Sequence, residues 1–149
     1  MTYNSQAGAW AVIYCPAKGT FLLGKRSALV NKPGLWDFFG GHVDAGEDPR
    51  KALTRELTEE AGLDVTSNDL VSFGGVTGPD IQAIGHVEAL RELHYFLLVA
   101  DREIEPRLNE EHSEFRWFKP GKLPHSVNRP TAIAFNIGLI QKALLVASP

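Results

Sequence analysis

Two stretches of the chain are apolar at nearly every position, so both of their alternating faces are hydrophobic. They are residues 7–15 and, apart from His94, residues 93–100. Strands with this pattern are usually covered on both sides, which predicts a sheet placed between helical layers. Shorter apolar runs bounded by turn residues predict further strands. These lie at residues 21–23, 70–76 and 114–118.

Polar residues near position 50 mark both ends of a helix. Asp48 is a suitable N-cap, Pro49 suits the first helical position, and Gly62 is a residue that commonly ends a helix. Apolar residues recur every four positions from Leu53, so one side of this helix is expected to face the core. The pattern therefore predicts a helix over residues 49–61.

A second helix is predicted after Asn128 and Pro130. Its apolar stripe, which we expect to pack in the core, consists of Ile133, Ile137, Ile140 and Leu144. Between the two helices, residues 78–91 have little periodicity and form a long loop. Such a loop is either functional or a mobile insertion, and both alternatives stay open. No repeat or linker interrupts the sequence, so residues 1–149 are expected to form one domain.

Charge and composition narrow the class of protein. The 149 residues carry a formal net charge of −3, which argues against broad binding of nucleic acid because such binding needs a basic face. No apolar run approaches the roughly 20 residues that span a bilayer, so no membrane segment is expected. Cys15 is the only cysteine, which excludes an intrachain disulfide. A cytoplasmic protein is expected, with a homodimer left open.

Three acidic residues of the first helix, Glu56, Glu59 and Glu60, lie at spacings of three and four positions. They project from one side of the helix, where like charges repel each other. Glu60 lies about 20° around the helix axis from Leu53, so the acidic side borders the buried side. Converging carboxylates are hard oxygen ligands that suit Mg²⁺ or Mn²⁺. The alternative is a solvated face balanced by neighbouring basic residues.

A glycine-rich segment before this helix favours the first of these interpretations. Gly40, Gly41 and Gly46 permit backbone conformations closed to other residues and let the main chain approach a ligand closely. Residues 41–63 read Gly-x5-Glu-x7-Arg-Glu-Leu-x-Glu-Glu-x-Gly-Leu. This segment resembles the signature of the Nudix family at every defined position. A looser similarity extends over most of the remaining chain.

The resemblance carries expectations about fold and activity. It implies an α/β fold, namely the Nudix α/β/α sandwich with a mixed β-sheet. It implies hydrolysis of a diphosphate linkage in a nucleoside triphosphate or another nucleoside diphosphate derivative, with Mg²⁺ or Mn²⁺ as the cofactor. The partner of such an enzyme is a nucleotide-like small molecule rather than a nucleic acid or a membrane.

The resemblance also assigns roles to individual residues. The implied metal ligands are the Gly40 carbonyl group and the side chains of Glu56, Glu59 and Glu60. Arg55 would orient Glu56, while Glu47 and Gly41 would support the site. The chain departs from the family at Phe39, which stands where proline is usual. Proline would stiffen the segment, so this substitution affects the shape of the loop and removes no ligand.

Nudix proteins often supply a further metal-binding or base carboxylate from a later loop. Glu111 is the first candidate, followed by Glu110 and Glu114, because the Glu111–His112 pair matches the family pattern. An acidic surface turn is a nearly equal interpretation. We expect either Glu56 or Glu111 to take the proton of the attacking water, and the sequence does not choose between them.

Substrate contacts are expected around the glycine-rich segment. Lys25 and Arg26 are candidates for holding phosphates, as a point charge and a bidentate fork respectively. Trp36 and Phe39 are candidates for stacking on a base, with core packing as the alternative. The Glu111–His112 match favours nucleoside triphosphates as substrates.

Three other functions compete with this one. The first is cleavage of ADP-ribose or nucleotide sugars, and Pro79 is a weak feature that favours ADP-ribose. A Nudix-fold module that senses a nucleotide without cleaving it is disfavoured, because every acidic position of the signature is intact. The isomerase branch of the fold needs a reactive cysteine near the acidic cluster, and Cys15 is a poor match for that role.

Overall fold

The computed structural model describes residues 7–77 and 92–147. Its strands are β1 (Ala7–Cys15), β2 (Thr20–Arg26), β3 (Trp36–Asp37), β4 (Gly40–Val43), β5 (Val71–Thr77), β6 (Glu92–Val99) and β7 (His112–Phe118). Its helices are α1 (Pro49–Ala61), α2 (Arg129–Asn136) and α3 (Leu139–Val146). The predicted loop at residues 78–91 lies outside the described residues. No helix within them is long and apolar enough to cross a membrane.

The strands form one mixed sheet centred on β1. Along one edge, β1 pairs in parallel with β6 in a continuous register from Ala7↔Glu92 to Tyr14↔Val99. Its other edge is shared by β4 and β2, which both run antiparallel to it. β5 extends the sheet beyond β6, and β2 pairs antiparallel with β3 and β7. The expected mixed sheet is confirmed.

Helices cover both faces of the sheet. Successive side chains of β1 point to opposite faces, so neighbouring residues of this strand contact different helices. Val12 lies in a buried cluster with Ile133 of α2 and Ile140 of α3. Ile13 lies in a second cluster with Leu57 of α1. The α/β/α sandwich and the two-sided burial of the central strands are therefore confirmed.

The ends of α1 follow the predicted capping chemistry. The Asp48 side chain accepts a hydrogen bond from the Arg50 backbone nitrogen, and Pro49 opens the helix. Gly62 ends it in the left-handed conformation, with φ 63°, which a residue with a Cβ atom adopts at a cost. The predicted bounds of this helix are confirmed, so its acidic residues have a defined orientation.

The predicted C-terminal helix is wrong in one respect, because the chain forms two helices rather than one. Gly138 has φ 83° and separates α2 from α3. Ile137 stands at this break and is 39% exposed, so it does not belong to the core stripe. Leu139 is buried in its place, together with Ile133 and Ile140 of the predicted stripe, while Leu144 is partly buried.

Candidate active site

The glycine-rich segment lies against β1 at a distance that excludes a side chain. Gly40 has φ 152°, and a Cβ atom placed on it would lie 2.1 Å from the backbone oxygen of Ala9. One residue earlier, the Phe39 carbonyl group accepts a hydrogen bond from the Ala11 nitrogen at 2.9 Å. These contacts hold the start of the glycine-rich segment directly against β1.

Two carboxyl groups of α1 meet this segment. Glu56 packs over Gly41, since a Cβ atom on that glycine would lie 3.0 Å from Glu56 Oε1. Glu60 is only 2% exposed, and its Oε1 lies 3.4 Å from the Gly40 backbone nitrogen. The glycine-rich segment and α1 therefore bring backbone groups and carboxyl groups to one place.

Arg55 connects two of the acidic residues. Its Nε and Nη2 atoms donate to the two Glu47 carboxylate oxygens at 3.2 and 3.0 Å. Its Nη1 atom donates to Glu56 Oε2 at 3.0 Å. The hydrogen bonds with Arg55 and with the Asp44 backbone nitrogen hold the pKa of Glu47 below its usual value. The same partnership raises the pKa of Arg55, so this guanidinium stays charged and fixes the Glu56 carboxylate.

Glu60 has an unusual electrostatic environment. Burial raises the pKa of Glu60 to about 11, with further contributions from the hydrogen bond to Glu56 and from the charges of Glu56, Glu111 and Asp37. Within the described residues it has no ion-pair partner. Such a carboxyl group either keeps a proton or requires a cation close to it.

The third acidic residue of α1 is placed differently. The Glu59 side chain is 55% exposed and lies 3.8 Å from Arg55. Across residues 7–77 and 92–147, no three carboxylate, histidine or cysteine side chains lie close enough to enclose a metal ion. The expected convergence is therefore limited to Glu56 and Glu60. Their oxygen donors, one of them buried without a cation, fit a divalent ion, and the role of Glu59 as a ligand stays a prediction.

The late acidic residues differ in their positions. The charge of Glu111 contributes to the raised pKa of Glu60. Glu110 is exposed. Glu114 pairs with Lys25 at 3.8 Å and with Arg116 at 3.2 Å. The structure therefore favours Glu111 among the three, as the Glu111–His112 match does.

Two of the predicted substrate contacts lie on the wrong side of the sheet. Lys25 is directly opposite Trp36 in the β2–β3 pairing, so both side chains share a face. Trp36 belongs to the core cluster of α2 and α3 and packs edge-on against Phe118. That face is opposite to α1, and core packing rather than base stacking describes Trp36.

The expectation that Phe39 stacks on a base is wrong. Phe39 is 0% exposed and packs in the cluster that α1 covers, where its ring lies 4.8 Å from that of His112. The proline found at this position in the family is thus replaced here by a core side chain. Arg26 is on the side of the site but already binds Asp37 and Asn31, so its contact with phosphate stays a prediction.

A buried polar group that the sequence did not reveal lies next to these residues. His112 Nε2 and Asp37 Oδ1 are 2.7 Å apart, and both side chains are at most 5% exposed. The other Asp37 oxygen accepts from Arg26 and from Asn128. The adjacent Glu111–His112 pair was the available signal, but nothing in the local pattern connected His112 with Asp37.

Comparison with known proteins identifies the family. A family model for the NUDIX domain matches residues 5–140. The nucleoside triphosphatase NudI of Escherichia coli O139:H28 is 30% identical over 123 residues, covering 76% of this chain and 84% of that protein. The CTP pyrophosphohydrolase of Escherichia coli K12 is 44% identical over 54 residues, which are 36% of this chain and 40% of that protein.

Solved structures show the same fold. A MutT Nudix hydrolase from Burkholderia pseudomallei is 26% identical, with a TM-score of 0.65, over 88% of this chain and 95% of that chain. An Ap4A hydrolase from C. elegans is also 26% identical, with a TM-score of 0.66, over 94% and 98% of the two chains. The family model spans most of the sequence and the signature carries all its acidic residues. The chain therefore belongs to the Nudix family and is a hydrolase of phosphoric anhydrides.

Proposed function

We propose that this Nudix hydrolase cleaves a diphosphate linkage in nucleoside triphosphates with the help of Mg²⁺ or Mn²⁺. The observation that carries the metal-dependent part is the convergence of Glu56 and Glu60, where a buried carboxyl group has no cationic partner among the described residues. The substrate class is supported by the similarity to the nucleoside triphosphatase NudI over 76% of the chain.

The residues that would hold the ion are Glu56, Glu59 and Glu60, with the Gly40 carbonyl group and the Glu111 carboxylate as further candidate ligands. A bound divalent ion would neutralise phosphate oxygens and lower the pKa of a coordinated water. Glu59 is mostly exposed and joined only loosely to Arg55, so its side chain is free to turn toward the other two carboxyl groups.

The other residues of the site either orient Glu56 or take a proton from water. Arg55 holds Glu56 through one nitrogen while Glu47 occupies two others, which fixes the Glu56 carboxylate over Gly41. Glu56 and Glu111 are the two candidates for the base that takes the proton of water. Glu56 already accepts from Arg55, whereas Glu111 has no side-chain hydrogen bond in the described part of the chain. This difference favours Glu111 as the base.

The cellular location of the enzyme and the size of its substrate are inferred from its cysteine and its net charge. We infer a cytoplasmic location, because Cys15 is a buried free thiol that a reducing compartment would preserve. The substrate is a nucleotide-sized molecule, since the net charge of −3 gives no general attraction for a polyanion. A homodimer stays open.

A substrate panel tests the proposal. Ribo- and deoxyribonucleoside triphosphates, ADP-ribose, nucleotide sugars and dinucleoside polyphosphates are assayed with Mg²⁺, with Mn²⁺ and with EDTA. We expect the highest kcat/KM for a nucleoside triphosphate, with mononucleotide and pyrophosphate as products and no turnover in EDTA. Preference for ADP-ribose or a nucleotide sugar would overturn the substrate class. Tight binding of a nucleotide without any product would favour the sensing module.

A further inference from the structure

A buried histidine and a buried aspartate form a pair beside the acidic helix. His112 is the first residue of β7 and Asp37 is the last residue of β3. Their Nε2 and Oδ1 atoms lie 2.7 Å apart, and their side chains are 2% and 5% exposed. Asp37 acts electrostatically on Glu60, as Glu111 does. The pair is therefore near the proposed metal site, although the proposed reaction does not use it directly.

Asp37 is held from two other directions. Its Oδ2 atom accepts a hydrogen bond from Arg26 Nη1 at 3.1 Å and from Asn128 Nδ2 at 3.3 Å. Arg26 ends β2, while Asn128 caps α2. Two separate parts of the chain therefore fix the Asp37 carboxylate, which in turn presents a fixed acceptor to His112.

The imidazole ring of His112 carries an energetic cost. Its Nδ1 atom is buried and has no hydrogen-bond partner within the described residues. A buried polar atom without a partner destabilises a fold by about 1–3 kcal/mol. One edge of the ring faces Gly24 and Phe39, where an apolar ring of similar size would pack without this cost. The Nε2 bond to Asp37 is therefore the feature that distinguishes histidine here.

The backbone just before His112 is also held in place. The Glu111 carbonyl group accepts from the Ser27 nitrogen at 2.9 Å, and the Glu110 carbonyl group accepts from Ser27 Oγ at 2.6 Å. Asn109 Oδ1 accepts from the Glu111 nitrogen at 2.9 Å. The Glu111 carboxylate itself has no hydrogen bond or ion pair within the described residues, yet its charge reaches Glu60.

We propose that the Asp37–His112 pair is a positioning device that sets where the Glu111 carboxylate stands relative to Glu60. Ser27 fixes the strand on one side, and the pair fixes the residue that follows Glu111 from inside the core. His112 and Asp37 are thus positioning residues rather than catalytic residues. The inference rests on the proposed function, in which Glu111 serves as base or metal ligand.

Two substitutions at position 112 separate positioning from packing. His112→Gln keeps an N–H donor where Nε2 lies, whereas His112→Phe keeps the ring and loses the donor. We expect His112→Phe to lower kcat by about 10- to 100-fold, as loss of a supporting hydrogen bond commonly does, with KM changed less than about 3-fold. His112→Gln should restore kcat to within about 3-fold of the wild type. Tyr95→Phe is the control, because it removes a buried hydrogen bond to Pro130 on the opposite face and should leave kcat unchanged.

A double-mutant cycle shows whether the pair acts through Glu111. Adding His112→Phe to Glu111→Gln should cost no further kcat, because residues that act as a unit are not additive. Additive losses, or equal losses in His112→Phe and His112→Gln, would overturn the proposal. Wild-type kcat in Glu111→Gln would overturn it too while leaving the proposed function standing.

Mn²⁺ binding measured by electron paramagnetic resonance gives a readout that does not need turnover. We expect His112→Phe to weaken Mn²⁺ binding as much as Glu111→Gln does, and His112→Gln to bind Mn²⁺ like the wild type. If the wild type hydrolyses no nucleotide, the proposed function fails and this titration still decides the inference. Weakened binding in Glu111→Gln with unchanged binding in His112→Phe would reject it.

Discussion

The Glu60 carboxyl group lies 3.4 Å from the backbone nitrogen of Gly40 and is almost completely buried there. Helix α1 and the glycine-rich segment are thus joined by a polar contact inside the core rather than at the surface. A carboxyl group in this position is costly when charged, because it has left water without gaining a cation from residues 7–77 or 92–147. In the proposed function, Glu60 therefore links the stability of the protein to the binding of metal.

The first prediction concerns Glu60→Gln in the metal-free protein. The pKa of Glu60 is raised from 4.5 to about 11, so the folded state binds a proton that the unfolded state releases above about pH 4.5. The stabilising effect of that proton is complete below pH 4.5 and is lost as the pH rises toward the folded-state value. Glutamine has no such proton. In EDTA at pH 8 we expect Glu60→Gln to melt at least about 3 °C higher than the wild type.

The comparison is made by thermal unfolding between pH 5 and pH 9, with Glu59→Gln as the control. Glu59 is 55% exposed, so its substitution should leave the pH dependence of Tm unchanged. Mg²⁺ should raise the Tm of the wild type, because a ligand of the folded state stabilises it, and should raise that of Glu60→Gln less. A difference in Tm between Glu60→Gln and wild type that stays constant over this pH range would contradict the expectation.

The second prediction concerns the guanidinium group of Arg55, which donates from three nitrogens. Its guanidinium donates to Glu47 and Glu56 through three nitrogens at once, which the single nitrogen of lysine does not reproduce. We expect Arg55→Lys to lower kcat by about 10- to 100-fold with Mg²⁺, because Glu56 loses its orientation. Steady-state kinetics with saturating substrate measures the change.

Arg50→Lys is the matched control for this substitution. Arg50 lies on the same helix, where it donates to the Leu70 carbonyl group and covers the Phe96 ring. Its replacement should lower Tm while kcat stays within about 3-fold of the wild-type value. Equal kcat values for Arg55→Lys and wild type would remove Arg55 from the orienting role.

The third prediction concerns the close approach at Gly40. Alanine there would place its Cβ atom 2.1 Å from the Ala9 oxygen, in a backbone conformation that side chains rarely adopt. We expect Gly40→Ala to lower the free energy of unfolding by about 3 kcal/mol or more. Gly19→Ala is the control, because Gly19 has φ 67° with no atom near its Cβ position, and should cost about 1 kcal/mol. Urea unfolding compares them, and equal losses would show that the contact with β1 is unimportant.

The sequence predicted those features that depend on neighbouring residues. Helix α1 has local caps at Asp48 and Gly62, so its bounds and its acidic side follow from the residues of this one segment. The break between α2 and α3 has a local signal in Gly138, which the prediction from the apolar stripe through Ile137 did not take into account. The regular spacing of apolar residues describes a helix well only where the backbone continues without a glycine.

Features that depend on contacts between residues far apart in the sequence could not be predicted from it. β4 takes its conformation from β1, about 30 positions earlier, through the pairing of Trp10 with Gly40. The Asp37–His112 contact joins residues 75 positions apart. For Phe39 the sequence left stacking on a base and packing in the core open, because its burial is decided by contacts with α1 and β7. Periodicity and capping carry no information about such contacts.

The last prediction ranks the three late glutamates. Glu114 is engaged by Lys25 and Arg116 and Glu110 is exposed, whereas Glu111 stands close enough to act on Glu60. We therefore expect Glu111→Gln to lower kcat by about 100-fold or more, since loss of a general base commonly costs about 10²–10⁴-fold. Glu110→Gln and Glu114→Gln carry the same change of charge within three positions and should keep kcat within about 3-fold, because Glu110 is exposed and Glu114 is already paired with Lys25 and Arg116. Steady-state kinetics of the three variants at one Mg²⁺ concentration tests this order. A larger loss in Glu110→Gln or Glu114→Gln than in Glu111→Gln would move the base away from the residue that precedes His112.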